Sequence, residues 1–331
     1  MTHTDWNPGT LLELSGGYWK ICALHAAVEL DVFTVIGEQR LSAAVVADKI
    51  HADKRATAML LNAMTALRLL EKNEDGYTGV PGAVRFLSRI SPDYIGYMIK
   101  HHHHLVESWS RLDEAVRTGK SVRARASHGS DEERESFLMG MFNNAMTLAP
   151  RLVPKVDLSG RKSLLDLGGG PGTYAIQFCL NYPDLKAVVY DLPATRPFAE
   201  KTIAAYGMTD RIGFQAGSYL TDPVAGRYDV VWLSHILHGE GPADCHNIVR
   251  KAVDALMPGG MILIHEFILN DDMSGPLFPT LFSLNMLTGT PSGQAYSQRQ
   301  LTDMLAGCGV KDIHRIFIES PNDSGVVVGV V

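Results

Sequence analysis

Cysteine is scarce in this 331-residue sequence, and the four present, Cys22, Cys179, Cys245 and Cys308, lie far apart with no Cys-x-x-Cys pair. That spacing excludes zinc ribbons and disulfide scaffolds and fits a reducing cytoplasm. No apolar run approaches the ~18 residues that a membrane helix needs. The run Met1-Thr2-His3-Thr4-Asp5 lacks the basic-then-apolar layout of a secretory signal, so a cytoplasmic location is expected. Positive charge is not in excess either. Against 30 Lys and Arg stand 36 Asp and Glu, and the net charge of −6 offers no broad attraction for nucleic acid or anionic lipid. Repeats and low-complexity tracts are absent apart from His101-His102-His103-His104. What the chain does have is 46% apolar and 20% charged residues, enough for a buried core, and a length suited to two domains.

Residues 17–35 read as one helix, with Tyr18, Ile21, Leu24, Val28 and Phe33 roughly on one face. Ser42 is placed to cap a short helix carrying Val45, Val46 and Ile50, and Asp53 a longer one carrying Met59, Leu60, Met64, Leu67 and Leu70. Asp75-Gly76 signals a hairpin. Helices followed by a small hairpin give a winged-helix layout, which raises DNA binding. Charge argues against that: between Glu29 and Ile90 eight basic residues face eight acidic ones, with no basic stripe. A packing or dimerisation module is the better reading. Residues 95–118 look helical, 119–134 are a polar connection, and a helix around 135–148 leads to Pro150 and Pro154.

From Ser163 the texture changes. Seven short apolar runs, 163–167, 186–190, 211–215, 228–234, 260–267, 313–318 and 325–331, are separated for the most part by helical patterns. This predicts an α/β domain with a mostly parallel sheet and helices on both faces. The domain boundary is expected near residue 155, giving domains 1–155 and 156–331.

The first of these strands runs into Asp166-Leu167-Gly168-Gly169-Gly170-Pro171-Gly172-Thr173, a glycine turn ahead of a helix. Glycine lets a ligand approach the backbone, and the helix N-terminus offers free N–H groups. The dinucleotide fingerprint wants glycine where Thr173 stands, which disfavours a dehydrogenase. The second strand ends in Asp191, whose carboxylate is placed to accept both ribose hydroxyls. No Lys or Arg lies in the turn to clamp a pyrophosphate. A ribose-bearing ligand without phosphate fits better, and S-adenosylmethionine is the obvious candidate.

With Asp191-Leu192-Pro193, this run resembles the cofactor motifs of class I methyltransferases, and specifically the plant-type and hydroxyindole-type O-methyltransferase family, which has bacterial members. The likeness spans nearly the whole chain. Ala26-Ala27-Val28-Glu29-Leu30-Asp31-Val32-Phe33 is similar to part of the family's dimerisation domain, Phe142-Asn143-Asn144-Ala145-Met146 to a segment lining its substrate pocket, and Leu256-Met257-Pro258-Gly259-Gly260 to the turn before strand five. The resemblance implies a Rossmann-like catalytic domain behind a winged-helix-like dimerisation domain, and a homodimer. It implies cofactor contacts at Asp166, Gly168, Gly170, Asp191, Leu192, Ser218, Tyr219 and Ser234.

Strand four continues into Ser234-His235-Ile236-Leu237-His238, and strand five ends in His265-Glu266. Residues past the carboxyl ends of parallel strands face the ligand crevice. Methyl transfer from a sulfonium needs little acid help, but a phenol with a pKa of about 10 is mostly protonated at neutral pH. A neutral imidazole is the natural acceptor of that proton, and a carboxylate can fix its tautomer. His238 and Glu266, 28 positions apart, fall on the family's base and on the first of its two bracketing acids. Met146, Phe142, Asn143, His235 and Met286 are the candidate acceptor contacts, with Leu287 on the same wall as Met286. No metal is required.

The sequence also departs from the family. His-Asp-Trp becomes His238-Gly239-Glu240, the second acid aligns with Ala295, the adenine-binding acid with Ser218, and a basic residue four positions before the base with Ser234. The expected reaction is O-methylation of an aromatic or conjugated small molecule. C-methylation of a conjugated ring and cofactor sensing without catalysis stay open. The four consecutive histidines point in directions ~100° apart on a helix and are read as mostly a polar face rather than a metal site.

Overall fold

The computed structural model describes residues 6–125 and 130–331. Packing divides the chain into two compact units, Met1–Leu105 and Val106–Val331. The sequence places this boundary near 155. The structure draws it earlier because the helix Asp131–Leu152 puts Leu148, Ala149 and Leu152 into the core of the second unit.

The first unit contains α1 (Pro8–Ser15), α2 (Tyr18–Glu29), α3 (Val32–Ile36), α4 (Ala43–Lys49), α5 (Lys54–Ala66), β1 (Leu70–Asn73), β2 (Gly76–Gly79), α6 (Pro81–Leu87) and the first part of α7 (Gly96–Trp109). The single helix expected over 17–35 is broken at Asp31. That residue lies at φ 58°, in the left-handed region, and its Oδ1 accepts the Thr34 hydroxyl at 2.7 Å. The caps form as expected: Ser42 Oγ accepts the Val45 N–H and Asp53 Oδ1 the Ala56 N–H. β1 and β2 pair antiparallel across Glu74-Asp75, with Gly76 just after the turn. Val28, Phe33, Ile36, Leu61, Met64 and Leu70 form the core of this unit. By contrast Trp6, Leu12, Leu14 and Trp19, in and beside α1 and α2, are 60–72% exposed, an apolar face with nothing packed on it within the chain's own described residues. The histidine run is not wholly polar surface, since His101 is buried and His103 sits edge-on to His25 with ring centroids 5.6 Å apart.

The second unit holds α8 (Leu112–Thr118), α9 (Asp131–Leu152), β3 (Ser163–Leu167), α10 (Thr173–Asn181), β4 (Lys186–Asp191), α11 (Arg196–Ala205), β5 (Ile212–Ala216), β6 (Tyr228–Ser234), α12 (Pro242–Asp254), β7 (Leu256–Leu269), α13 (Leu277–Gly289), β8 (Tyr296–Ser297), α14 (Gln298–Gly307), β9 (Lys311–Ile316) and β10 (Ser324–Val330). The sheet order is β5-β4-β3-β6-β7-β10-β9, with the two-residue β8 paired to the end of β7. β5, β4, β3, β6 and β7 run parallel, and β10 is antiparallel to both its neighbours. This is the Rossmann-like class I arrangement, with its seven long strands where the sequence put them.

Both faces of the sheet are covered, so its central strands are apolar without interruption. The two-residue period then sorts side chains between two cores. Leu164, Val230, Trp232 and Leu263 meet α9, α10 and α11 on one face; Leu165, Val231, Leu233 and Ile264 meet α12 and α14 on the other. Chain order reverses between β3 and β6, and the crevice at their carboxyl ends is where an open α/β sheet binds ligands.

Candidate active site

Every strand that borders the crevice delivers a candidate residue at its carboxyl end. After β3 the chain turns through Gly168, Gly170 and Gly172 at φ 70°, 54° and 79°, conformations that only glycine adopts cheaply. No atom lies within 4 Å of where a Cβ on Gly170 would stand, so the backbone is open on that side. Asp191, ending β4, supports the turn: Oδ2 accepts the Gly170 N–H at 2.8 Å, and Oδ1 accepts the Leu192 N–H at 2.7 Å and the Thr195 hydroxyl at 2.9 Å. After β5, Ser218 Oγ accepts the backbone N–H groups of Leu220 and Thr221, which leaves its own hydrogen free to donate.

Asp166 lies beneath this turn, 1% exposed, its Oδ2 accepting the Ala175 N–H at 3.2 Å. Its Oδ1 is buried with no partner among the described residues. It therefore ties β3 to the start of α10 from below rather than presenting a carboxylate to the crevice. Burial pushes the Asp166 carboxyl up to about 7. A carboxyl raised above its unfolded value of ~3.9 stabilises the fold fully below that value, and the contribution is lost as pH rises through the folded value. The melting temperature of Asp166→Asn minus that of the wild type is expected to grow as pH goes from 4 to above 7. A difference that stays constant in thermal scans across that range would contradict the assignment.

The catalytic candidates sit on the turn after β6 and the end of β7. Along β7, Leu263 and Ile264 face opposite cores, so the alternation sends His265 toward the α10 side and Glu266 toward the α12 side. His265 accordingly packs among Tyr174 and Trp232, its Nδ1 paired with Ser234 Oγ at 2.9 Å. Glu266 meets the turn after β6. Its Oε1 accepts the N–H of Leu237 at 2.9 Å and of His238 at 3.3 Å, and its Oε2 lies 2.8 Å from His238 Nδ1. Burial alone would raise the Glu266 carboxyl, but the His238 ring above all, with His235, holds it well below the ordinary range. An ionised Glu266 keeps hydrogen on Nδ1 and leaves the Nε2 lone pair of His238 free.

His235 makes the turn possible by adopting φ 55°, and its ring lies 4.1 Å from that of Phe267. Burial lowers its pKa, so it is neutral at pH 7. The nitrogens of His235 and His238 and an oxygen of Glu266 lie within 4.8 Å of one another, a set of metal-ligand types. The Glu266 oxygens are nonetheless already used, by two backbone N–H groups and by His238. An aromatic wall completes the surroundings: the Phe282 ring meets His238 edge-on at 4.7 Å, and Phe267 packs against Phe278 at 4.9 Å and Phe282 at 4.6 Å.

A part-buried ion pair braces the same turn. Arg125 Nη1 and Nη2 donate to the two Glu240 oxygens at 2.6 and 2.8 Å, and Nη2 also donates to the Gly239 carbonyl at 2.8 Å. The Tyr219 hydroxyl donates to Glu240 Oε1 at 3.2 Å. Glu240 is thus the hub joining the segment before residue 126, the turn carrying His238, and the loop after β5. Removing Glu240 strands an Arg125 side chain that is 26% exposed, so water recovers part of the lost pairing. Glu240→Ala is expected to cost about 2 kcal/mol in urea unfolding, between the values for exposed and fully buried pairs; a loss under about 0.5 kcal/mol would mean that the pair is not structural.

The remaining sequence candidates are scattered. Met146 Sδ accepts from Gln177 Nε2 at 3.5 Å, beside the helix that follows the glycine turn. Asn143 Oδ1 is buried without a partner among the described residues. Phe142, partly buried, packs on Tyr206 and the core around α10. Met286 is buried on α13, and Ser234 is committed to His265. Ala295 is fully buried, its N–H donating to Ser283 Oγ. Sequence reasoning missed Phe267, Phe278, Phe282 and Arg125. The spacing of Phe278, Phe282 and Met286 on one helix face was a usable signal for the wall. Nothing local marks Arg125 as the partner of Glu240.

Comparison with known proteins gives a consistent result. A model of the O-methyltransferase domain matches residues 109–311, and one of the O-methyltransferase dimerisation domain matches residues 12–89. The chain is 36% identical over 329 residues to a 3-hydroxy-5-methyl-1-naphthoate 3-O-methyltransferase of Streptomyces sahachiroi, covering 98% of this chain and 95% of that one. It is 31% identical over 322 residues to a tetracenomycin polyketide synthesis 8-O-methyl transferase of Streptomyces glaucescens, covering 95% of each. Human N-acetylserotonin methyltransferase, solved in complex with S-adenosylmethionine, superposes with a TM-score of 0.87 at 26% identity, covering 100% of this chain and 99% of that one. The open Gly170 backbone, the Asp191 carboxylate beside it and the lack of a cation in the turn suit that cofactor. This chain belongs to the O-methyltransferase family and is an S-adenosylmethionine-dependent methyltransferase.

Proposed function

We propose that this enzyme methylates a hydroxyl on a planar, fused aromatic acceptor, with His238 as the general base and Glu266 as the residue that fixes its tautomer. The observation that carries this reading is the 2.8 Å contact between His238 Nδ1 and a buried Glu266, at strand ends that border the same crevice as the glycine turn. The naphthoate and polyketide acceptors named for the two Streptomyces relatives supply the acceptor class.

When bound, S-adenosylmethionine supplies an electrophilic methyl group whose leaving group is a neutral thioether. Gly168, Gly170, Asp191 and Leu192 would hold its ribose and methionine parts, and Ser218 and Tyr219 its adenine. His238 Nε2 takes the hydroxyl proton as the oxygen becomes the nucleophile. Glu266 then faces an imidazolium and stabilises it. Phe267, Phe278 and Phe282 present aromatic surface that holds a flat acceptor and excludes water from the base. No metal has a part in these steps.

The test is product analysis with carbon-13-labelled methyl donor and 2-naphthol. A labelled methyl ether by NMR supports O-transfer, and a labelled carbon-bound methyl group replaces it with ring methylation. One observation favours that second reading: Ala295, buried, stands where a second acid was expected. A cofactor-sensing role without turnover would leave the His238–Glu266 pair without a purpose.

We take the exposed apolar face of α1 and α2 as the homodimer contact, supported by its overlap with the segment 12–89 that matches the dimerisation domain. Trp19→Asp is expected to shift sedimentation from dimer to monomer. A dimer that persists unchanged would move the contact elsewhere. Four free thiols, three of them buried, fit a reducing cytoplasm. No helix among the described residues is long and apolar enough to cross a membrane.

A further inference from the structure

Two arginines stand two residues apart in the segment before residue 126, and among the described residues only Arg125 has an acid within ion-pair distance. Arg125 is fully paired with Glu240. Arg123 is held by its backbone instead: the N–H groups of Val122 and Arg123 donate to the Thr288 carbonyl at 2.9 and 3.1 Å. This pins the segment to the C-terminal end of α13. The Arg123 guanidinium lies flat on Gly289, where a Cβ would stand within 2.6 Å of Nη1. Nη1 donates to the adjacent Ala124 carbonyl at 3.1 Å. Nε is buried with no partner among the described residues. The acid that acts on Arg123 through space is Glu133, whose carboxylate already accepts the Ser130 N–H at 2.8 Å.

The position of Gly289 gives this unpaired cation a meaning. At ~100° per residue, Phe278, Phe282, Asn285 and Gly289 share one face of α13. Phe282 meets His238 on that face, and Asn285 Oδ1 accepts the Trp109 indole N–H at 3.1 Å. The guanidinium therefore continues the wall that borders the base. Gly289 lies about two turns, ~10 Å, along the helix from Phe282, comparable to the length of a fused two-ring system with its substituents. Burial works against a lone guanidinium, and a bound anion would offset that cost.

We propose that Arg123 is the anion-binding end of the acceptor subsite, holding a carboxylate on the ring remote from the hydroxyl that His238 deprotonates. The planar fork of arginine matches a carboxylate with two N–H donors, and Gly289 provides the clearance that lets the fork lie on the helix. This rests on the fused aromatic acceptor proposed above and deepens it, by naming the residue that would read a carboxylate and the end of the wall at which it would lie.

The test compares 6-hydroxy-2-naphthoic acid, whose hydroxyl and carboxylate stand on opposite rings, with 2-naphthol, binding each to the full-length protein saturated with S-adenosylhomocysteine and following ligand fluorescence. The wild type is expected to bind the acid at least about tenfold more tightly, the scale of a charge-assisted contact. Arg123→Ala is expected to bring the ratio of the two dissociation constants close to one, and Arg123→Lys to recover part of it. An arginine that only caps the end of α13 would change thermal stability and leave the ratio alone. Equal binding by the wild type, or a ratio unmoved in Arg123→Ala, overturns the proposal. Methyl transfer to the same two compounds is scored separately: a carboxylate preference without transfer to either would leave Arg123 in place and refute the proposed reaction.

Discussion

Replacing His238 with alanine is expected to lower kcat by about a thousandfold, within the range that a positioned general base contributes. The affinity for S-adenosylhomocysteine is expected to change by less than about twofold. The split follows from position. His238 stands on the turn after β6, joined to Glu266 and edged by Phe282, whereas the residues assigned to the cofactor lie on the turns after β3, β4 and β5. Calorimetry and steady-state rates on one preparation make the comparison. A matched fall in both would show that the substitution collapses the crevice, and turnover within threefold of wild type would remove His238 from the chemistry.

The second large effect is expected from Glu266→Gln. Its carboxylate is 1% exposed, accepts two backbone N–H groups, and fixes the His238 ring. A glutamine can accept through one atom only. Its NH2 group then faces either a backbone N–H or His238 Nδ1, and the tautomer with a free Nε2 is no longer enforced. A fall in kcat of about a hundredfold or more is expected, with little change in the KM for the cofactor. Stability should respond too. A carboxyl depressed below its unfolded value of ~4.3 contributes stability that is complete above that value and lost as pH falls through the folded one. Glu266→Gln should therefore unfold more easily than wild type at pH 7, with the gap narrowing in acid. A gap that widens in acid would contradict the assignment.

The fold was largely legible because its signals are local. Short apolar runs with turns between them gave the strands, and the sheet needed nothing else to bring the ends of β3, β4, β6 and β7 to one crevice. The pairing of His238 with Glu266 was legible for the same reason, since neighbouring parallel strands deliver their carboxyl ends side by side. What the sequence could not carry is contact between distant segments. Arg125 reaches Glu240 across 115 positions, and no periodicity encodes that. The break at Asp31 depends on one left-handed residue inside an otherwise helical pattern. The family resemblance implies cofactor contacts at Asp166 and Ser234. What the resemblance does not carry is the two-residue period of their strands, which buries Asp166 under the turn and pairs Ser234 with His265. The helix expected around 135–148 is longer at both ends: Ser130 caps it at Asp131, and Pro150 fits within the last turn of α9.

The central claim is that an imidazole removes the acceptor proton, and acceptor acidity tests it most directly. Rates for wild type and His238→Ala should be compared on 2-naphthol and on a nitro-substituted naphthol that is already ionised at the assay pH. An oxygen that has lost its proton has no use for a base. The roughly thousandfold loss expected with 2-naphthol should shrink to within about tenfold with the ionised acceptor. The same loss with both would mean that His238 does something other than take a proton.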